Sequence, residues 1–189
     1  MFEAVRPALV LGSTQRDDVV DVALARAMGI AIVHRRSGGG VVLVVPGETV
    51  WVDVVVPAGD PLWDDDVGRA ALWLGETWQA ALGSLGIAGS NVHQGALVCG
   101  PLGRLVCFGA LGAGEVVAGD GRKLVGVSQR RTRAAARFQC VLYREWDPTL
   151  LTPLLRLDED RSAAVAAAGV GTGLDPTQVV DAFLRHLPS

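Results

Sequence analysis

Asp120-Gly121-Arg122-Lys123-Leu124-Val125-Gly126-Val127-Ser128-Gln129-Arg130 is the stretch whose reading decides the fold. Asp-Gly supplies the left-handed backbone that a tight hairpin turn needs, and an apolar run with β-branched residues follows it. The pattern predicts a strand over 122–130, opened by Lys123, with the run Phe138 to Tyr143 pairing beside it. Working outward, residues 96–99, 104–108 and 115–117 read as shorter strands. Residues 29–34 and 41–45 are β-branched runs, and 49–56 alternates around Trp51 and Asp53, so three strands enclose two Gly/Pro turns as a meander or hairpin set. Two helices interrupt the strands. The first follows Thr14, a cap with Asp17 three residues on, and carries Val20, Ala23, Leu24 and Ala27 until Gly29 ends it. The second and longest has Asp64, Asp65 and Asp66 at its amino terminus and buries Val67, Ala71, Leu74, Trp78, Ala81 and Leu85, up to Gly86. Asp147-Pro148 and Asp175-Pro176 each read as a cap followed by proline at the first helical position. The small-residue stretch 162–173 reads as a weak helix and a loop, and the last helix buries Val179, Val180, Phe183, Leu184 and Leu187. Strands and helices in separate blocks joined by hairpins give an α+β fold with a mixed, largely antiparallel sheet flanked by helices.

Composition bounds what such a chain does. Of its 189 residues 50% are hydrophobic and 20% charged, which suffices for one core and predicts a single domain over 1–189. The net charge of -3 does not favour a nucleic-acid partner, although Arg130, Arg131, Arg133 and Arg137 form a local basic stretch. Glu48 and Asp53 interrupt the most apolar region, so no membrane span is expected. The start Met-Phe-Glu-Ala-Val-Arg has no basic segment followed by an apolar one, and a cytoplasmic location is expected. Cys99, Cys107 and Cys140 lack Cys-x-x-Cys spacing, so neither a disulfide framework nor a protein-held metal is expected.

Two segments carry candidate chemistry. In Arg35-Arg36-Ser37-Gly38-Gly39-Gly40, three successive glycines uncover backbone amides beside two guanidinium groups, a combination suited to a carboxylate or phosphate. On glycine content alone the segment reads as a turn with solvated arginines, because it matches neither the P-loop nor the dinucleotide spacing. The second segment is the lysine strand. Lys123 is the only lysine in a chain that otherwise uses arginine for positive charge, and Gly126 three residues on removes a side chain that would cover the sheet. An exposed turn lysine is the plain alternative; a compact ammonium facing a pocket can stabilise charge on a carbonyl or phosphoryl oxygen.

Taken together, Arg35-Arg36-Ser37-Gly38-Gly39-Gly40-Val41 followed by Pro46-Gly47-Glu48, and Gly121 to Arg131 with lysine, two residues, then glycine, resemble the two signature segments of lipoate-protein ligases. The resemblance runs from about Gly12 to Tyr143 and identifies the chain as a member of the biotin/lipoate ligase and octanoyltransferase superfamily. It implies a class II biotin/lipoate ligase-like catalytic domain with an apolar acyl tunnel beside the glycine loop. It implies activation of lipoic or octanoic acid with ATP and Mg2+ to an acyl-adenylate, then transfer to a lysine on a lipoyl-carrying domain of a 2-oxoacid dehydrogenase or of the glycine cleavage H protein. In that scheme Lys123 neutralises carboxylate and phosphate oxygens, the amides of Ser37, Gly38, Gly39 and Gly40 line the acyl-adenylate with Arg35 or Arg36 near its phosphate, and Gly126, Val127 and Ser128 border the substrate.

Three departures shape the alternatives. The Arg-x-Asn-Asp segment of many lipoate ligases is replaced by Asn91-Val92-His93-Gln94 and then Glu115, and a His-Gly pair after the lysine strand by Phe138-Gln139-Cys140. No carboxy-terminal accessory domain is expected either. Cys107-Phe108, 16 residues before Lys123, resembles the nucleophile pair of cysteine octanoyltransferases. That branch moves octanoyl from acyl carrier protein through a thioester without ATP, and Lys123 would there hold Cys107 as thiolate. A core cysteine among Leu105, Val106 and Phe108 remains the structural alternative. A third reading keeps the scaffold as a non-catalytic binder of fatty or lipoyl acids or of lipoyl domains. Biotin, lipoate and octanoate are not separated by these residues.

Overall fold

The computed structural model describes residues 4–188 and contains two main sheets, a five-stranded antiparallel one and a three-stranded mixed one, with helices outside them. The larger sheet is the hairpin system read from the Asp-Gly turn. β9 (Lys123–Arg131) pairs antiparallel with β10 (Ala135–Tyr143), which pairs along its whole length with β4 (Thr49–Pro57). β8 (Val116–Val117) and β5 (Asn91–Val92) extend the other edge, giving the order β4-β10-β9-β8-β5. At the turn itself Gly121 has φ +86°, the conformation that the Asp-Gly pair favours.

The smaller sheet sets β1 (Ala8–Leu11) between β2 (Ala31–His34), parallel to it, and β3 (Val42–Val44), antiparallel to it. The expected meander over 29–56 is therefore not formed. β1, absent from the strands that the sequence predicts, takes the position between β2 and β3, and β4 leaves for the other sheet. The connection from β2 to β3 must then cross the end of β1, and it does so through residues 35–41.

Three apolar clusters follow from strand alternation. Ala136, Phe138, Cys140 and Leu142 of β10 face α2 (Leu72–Ser84) and α5 (Pro176–Arg185), where Trp78 stacks on Phe183 with ring centroids 4.0 Å apart. Val141 and Tyr143, on the opposite face, meet Val42, Val44 and Phe108 between the two sheets. The third cluster lies outside the smaller sheet, among Leu9, Leu11, α1 (Val22–Ala27), α3 (Leu151–Leu154) and Val165 of α4 (Glu159–Ala168). The caps at Asp147 and Asp175 are present, each carboxylate accepting from a backbone amide within the next three residues.

Both early helices start later than the sequence predicts. Asp21, not Thr14, caps α1 by accepting from the Leu24 amide at 2.9 Å. Asp64 and Asp66 close local turns and pair with Arg69 instead of opening α2, so the helix begins at Leu72. Residues 104–108 are not a strand. Gly100, Gly103 and Gly109 pack against one another, turns form at Leu102, and only Val106 keeps one bridge, to Val41. Residues 98–99 and 110–111 make a short ribbon, β6 and β7. Among the described residues no helix is long and apolar enough to cross a membrane.

Candidate active site

The residues linking β2 to β3 are held from the inside by Arg35. Its side chain is 7% exposed, and its guanidinium donates to the Gly38 carbonyl from Nε and Nη2, to Gly40 from Nη2 at 2.8 Å, and to Val10 from Nη1 at 3.1 Å. The planar fork thus collects the carbonyls on one side of the loop. Among the described residues, the amides of Gly38, Gly39 and Gly40 donate to no protein acceptor. Glycine is required here by close approach. A Cβ on Gly12 would stand 1.9 Å from the Gly39 oxygen, and one on Gly40 2.4 Å from the Val106 carbonyl carbon. Arg35→Ala should strip three carbonyls of their donor and lower stability by roughly 2–4 kcal/mol, read as a fall in the urea midpoint.

Lys123, at the head of β9, is 3% exposed and its ammonium is paired. Nζ lies 2.6 Å from Glu115 Oε2, donates to the Cys107 carbonyl oxygen at 2.9 Å and sits 5.5 Å from the Phe108 ring centroid. Glu115 is 4% exposed and also accepts from the Gly112 amide at 2.7 Å and the Val127 amide at 2.9 Å. Gly126 leaves the room that Cys107 occupies: a Cβ there would stand 3.3 Å from Cys107 Sγ. Cys107 is half-buried, and desolvation pushes its thiol up; the charges of Lys123 and Arg35 pull it down less strongly, and that of Glu115 adds to the rise. The lysine addresses the cysteine's carbonyl, not its sulfur.

These parts meet. Gly38, Gly39, Gly40, Cys107, Lys123 and Ser128 line one cleft of about 900 Å³, with Val127 and Glu115 among its other walls. Exposed Leu97 and Val67 stand at its apolar rim. Ser37 is buried beside it, where its hydroxyl donates to Gln139 Oε1 at 2.6 Å and lies 3.0 Å from the Ser128 hydroxyl. Ser37 and Gln139 of this bridge also line a smaller groove of about 530 Å³, together with Arg35, Arg36, Arg130 and Arg137. Arg137 pairs there with Asp53, and Arg131 lies over the Trp63 ring at 4.2 Å.

Two polar residues of the site carry no motif signal. Glu115 lies in a segment read only as a short strand, and Gln15 joins the two loops of the cleft by accepting from the Gly12 amide and donating to the Arg104 and Leu105 carbonyls. Only an acid eight residues before Lys123, across the Asp-Gly turn from the lysine strand, hinted at the first; nothing local hinted at the second. Chemically, an uncovered amide row facing a buried ammonium across a cleft with apolar walls suits an acyl chain ending in a carboxylate or a mixed anhydride.

The sequence matches the family described as the lipoyl protein ligase A/B catalytic domain over residues 1–177. A comparison with curated proteins gives no match. Among solved structures, lipoate-protein ligase A bound with ATP shares the fold at TM-score 0.71 and 18% identity, over 96% of this chain and 67% of its own. A bi-partite lipoate protein ligase from Thermoplasma acidophilum, solved with its E2 lipoyl domain, gives TM-score 0.72 and 19% identity over 96% of this chain and 66% of its own. P. falciparum LipL1 in complex with lipoate gives TM-score 0.62 and 11% identity, with 96% of this chain and 44% of its own covered. The chain thus spans about two thirds of the first two ligases and less than half of the third. With the family matching through residue 177 and the same fold running through 96% of the chain, the protein belongs to the lipoyl protein ligase A/B catalytic domain family.

Proposed function

We propose that the protein activates lipoic or octanoic acid with ATP and passes the acyl group to a lysine of a lipoyl domain. The observation that carries this reading is the placement of the free amides of Gly38, Gly39 and Gly40 and the Lys123 ammonium on one cleft. Amides without protein acceptors fit a phosphate, and the ammonium has named protein partners for only two of its three protons, leaving one for a carboxylate or phosphoryl oxygen. Among the described residues no three His, Cys, Asp or Glu side chains converge at metal-binding distance, so magnesium would arrive on the nucleotide phosphates. The apolar rim and Val127 would border the acyl chain, and Arg35 would act through the loop it organises. A related ligase bound to ATP, another solved with a lipoyl domain and a third holding lipoate lend support. Acid-dependent exchange of labelled pyrophosphate into ATP, together with a gain of one acyl mass on a lipoyl domain, is the expected result. Absence of exchange with both acids refutes adenylation.

Cys107 in the same cleft favours a second reading, octanoyl transfer through a thioester. There the Cys107 sulfur attacks the carbonyl of an octanoyl carrier thioester, the carrier thiol leaves with the proton, and the acceptor lysine amine later displaces Cys107 with loss of its own proton. The thiol's upward shift in the free protein places this reading second. Cys107→Ser separates the two. Under adenylation it should keep transfer within about threefold of wild type, whereas under the thioester route it should lose both the covalent acyl adduct, seen by intact mass, and turnover.

A further inference from the structure

We propose that Glu115 is a positioning residue for Lys123: its carboxylate pins the ammonium against the Cys107 carbonyl, so that the lysine addresses the cleft from one fixed point. The flexible four-carbon stem of a lysine does not fix its own charge in space. Here a second group does so, at 2.6 Å, from a backbone that is itself immobilised. Gly114, with φ +83°, brings the chain so close to α2 that a Cβ on it would stand 2.3 Å from the Ala71 oxygen. His93 then closes the turn from the other side, donating its amide to the Glu115 carbonyl at 2.8 Å and accepting from the Gly114 amide at 2.8 Å.

Glu115 is also positioned by its own acceptors. Oε1 takes the Val127 amide and Oε2 takes the Gly112 amide together with Lys123 Nζ. Two backbone donors alone ask only for neutral acceptors. A full negative charge at 4% exposure beside the chain's sole lysine is a costly way to satisfy them, and a buried ion pair is seldom a net stabiliser. What the pair supplies is a fixed location for a positive charge in a cleft wall. The same carboxylate weighs against thiolate formation at Cys107, so the cation is shared between an acid and the cleft and not committed to the sulfur.

The consequence for turnover rests on the acyl-transfer reading; the pinning itself does not, and it is tested without substrate. Because Lys123 is the only ε-amine, its acetylation by an N-hydroxysuccinimide ester is read directly by peptide mass, with the α-amino group as internal standard. Wild type and Glu115→Asp, which keeps the charge, should be protected, and Glu115→Gln should label at least about 10-fold faster relative to the standard. Equal labelling of Glu115→Gln and wild type, or of Glu115→Gln and Glu115→Asp, overturns the proposal. Should Glu115→Gln fail to fold, Lys123→Met and the double variant Lys123→Met/Glu115→Gln decide. The single change leaves a buried carboxylate without its cation, so the double variant should melt higher; an equal or lower melting temperature overturns the pairing. In transfer assays the folded Glu115→Gln protein should lose kcat by about 10-fold with KM little changed, and an unchanged kcat in an enzyme that does transfer acyl groups overturns positioning. If wild type transfers nothing, the labelling and melting results still stand alone.

Discussion

Lys123→Ala is expected to reduce acyl transfer by about 10²–10³-fold, the loss typical of removing one charge-stabilising donor from a sheltered site. Both enzymatic readings use this residue, so the loss should appear in lipoyl-domain modification from free acid with ATP and from an acyl carrier thioester alike. The structure adds a second expected result. With the ammonium gone, Glu115 keeps its two amide donors but loses its counter-charge while 4% exposed, so the variant should also lose about 3–5 kcal/mol of stability. Activity must therefore be measured at a temperature where circular dichroism shows the variant folded. Transfer within threefold of wild type under that condition removes Lys123 from the mechanism.

Gly40→Ala carries the largest expected structural effect. Its Cβ would stand 2.4 Å from the Val106 carbonyl carbon and 2.7 Å from the Cys107 nitrogen, both backbone atoms in a turn that cannot swing aside as a side-chain tip can. The Val41 amide donates to Leu105 and the Cys107 amide to Val41 across that contact, so separating the two loops breaks the bridge that closes the cleft. A loss of about 3 kcal/mol or more is expected, seen as a fall in melting temperature or in soluble yield. Gly38→Ala is the control within the same loop. Nothing lies within 4 Å of its Cβ position and its φ is not in the left-handed region, so its melting temperature should match wild type. Equal melting of Gly40→Ala and wild type would show that the loops do not touch as described.

The contrast between these two glycines shows what the sequence can and cannot reveal. A run of three glycines states that the backbone is uncovered somewhere; it does not state that Gly40 faces Val106 while Gly38 faces open space, because that partner comes from a segment over 60 residues away. The hairpin from Asp120 to Tyr143 was legible because turn chemistry and β-branched alternation are local, and so were the α5 cap at Asp175 and its apolar face. β1 was not legible, since a run of only four apolar residues becomes a central strand only through partners at 31–34 and 42–44. Asp64 to Asp66 misled for the opposite reason: carboxylates that favour a helix start also close local turns, and Arg69 tips them toward the turns.

At the site, the solitary lysine and the glycine loop were visible as composition and spacing, and the cleft brings them together. Arg35 and Arg36, adjacent in sequence, differ in burial. Both border the neighbouring groove, but Arg35 is buried and makes four hydrogen bonds to the carbonyls of Gly38, Gly40 and Val10, whereas Arg36 is exposed. Nothing local distinguishes them; only the direction of a strand end crossing β1 does. Glu115 was equally hidden, because its partners, Lys123 and the amides of Gly112 and Val127, are brought to it by a strand pairing that the sequence places only approximately.

The solitary, enclosed lysine has a corollary for the protein's own covalent fate. On the proposed reading the protein hands an activated acyl group to ε-amines, yet its own single ε-amine, Lys123, is 3% exposed and engaged with Glu115. Under that reading, self-acylation of amines during turnover is expected at the chain's α-amino end before Lys123, so acyl mass on a peptide that holds Cys107 and not Lys123 would point to a thioester.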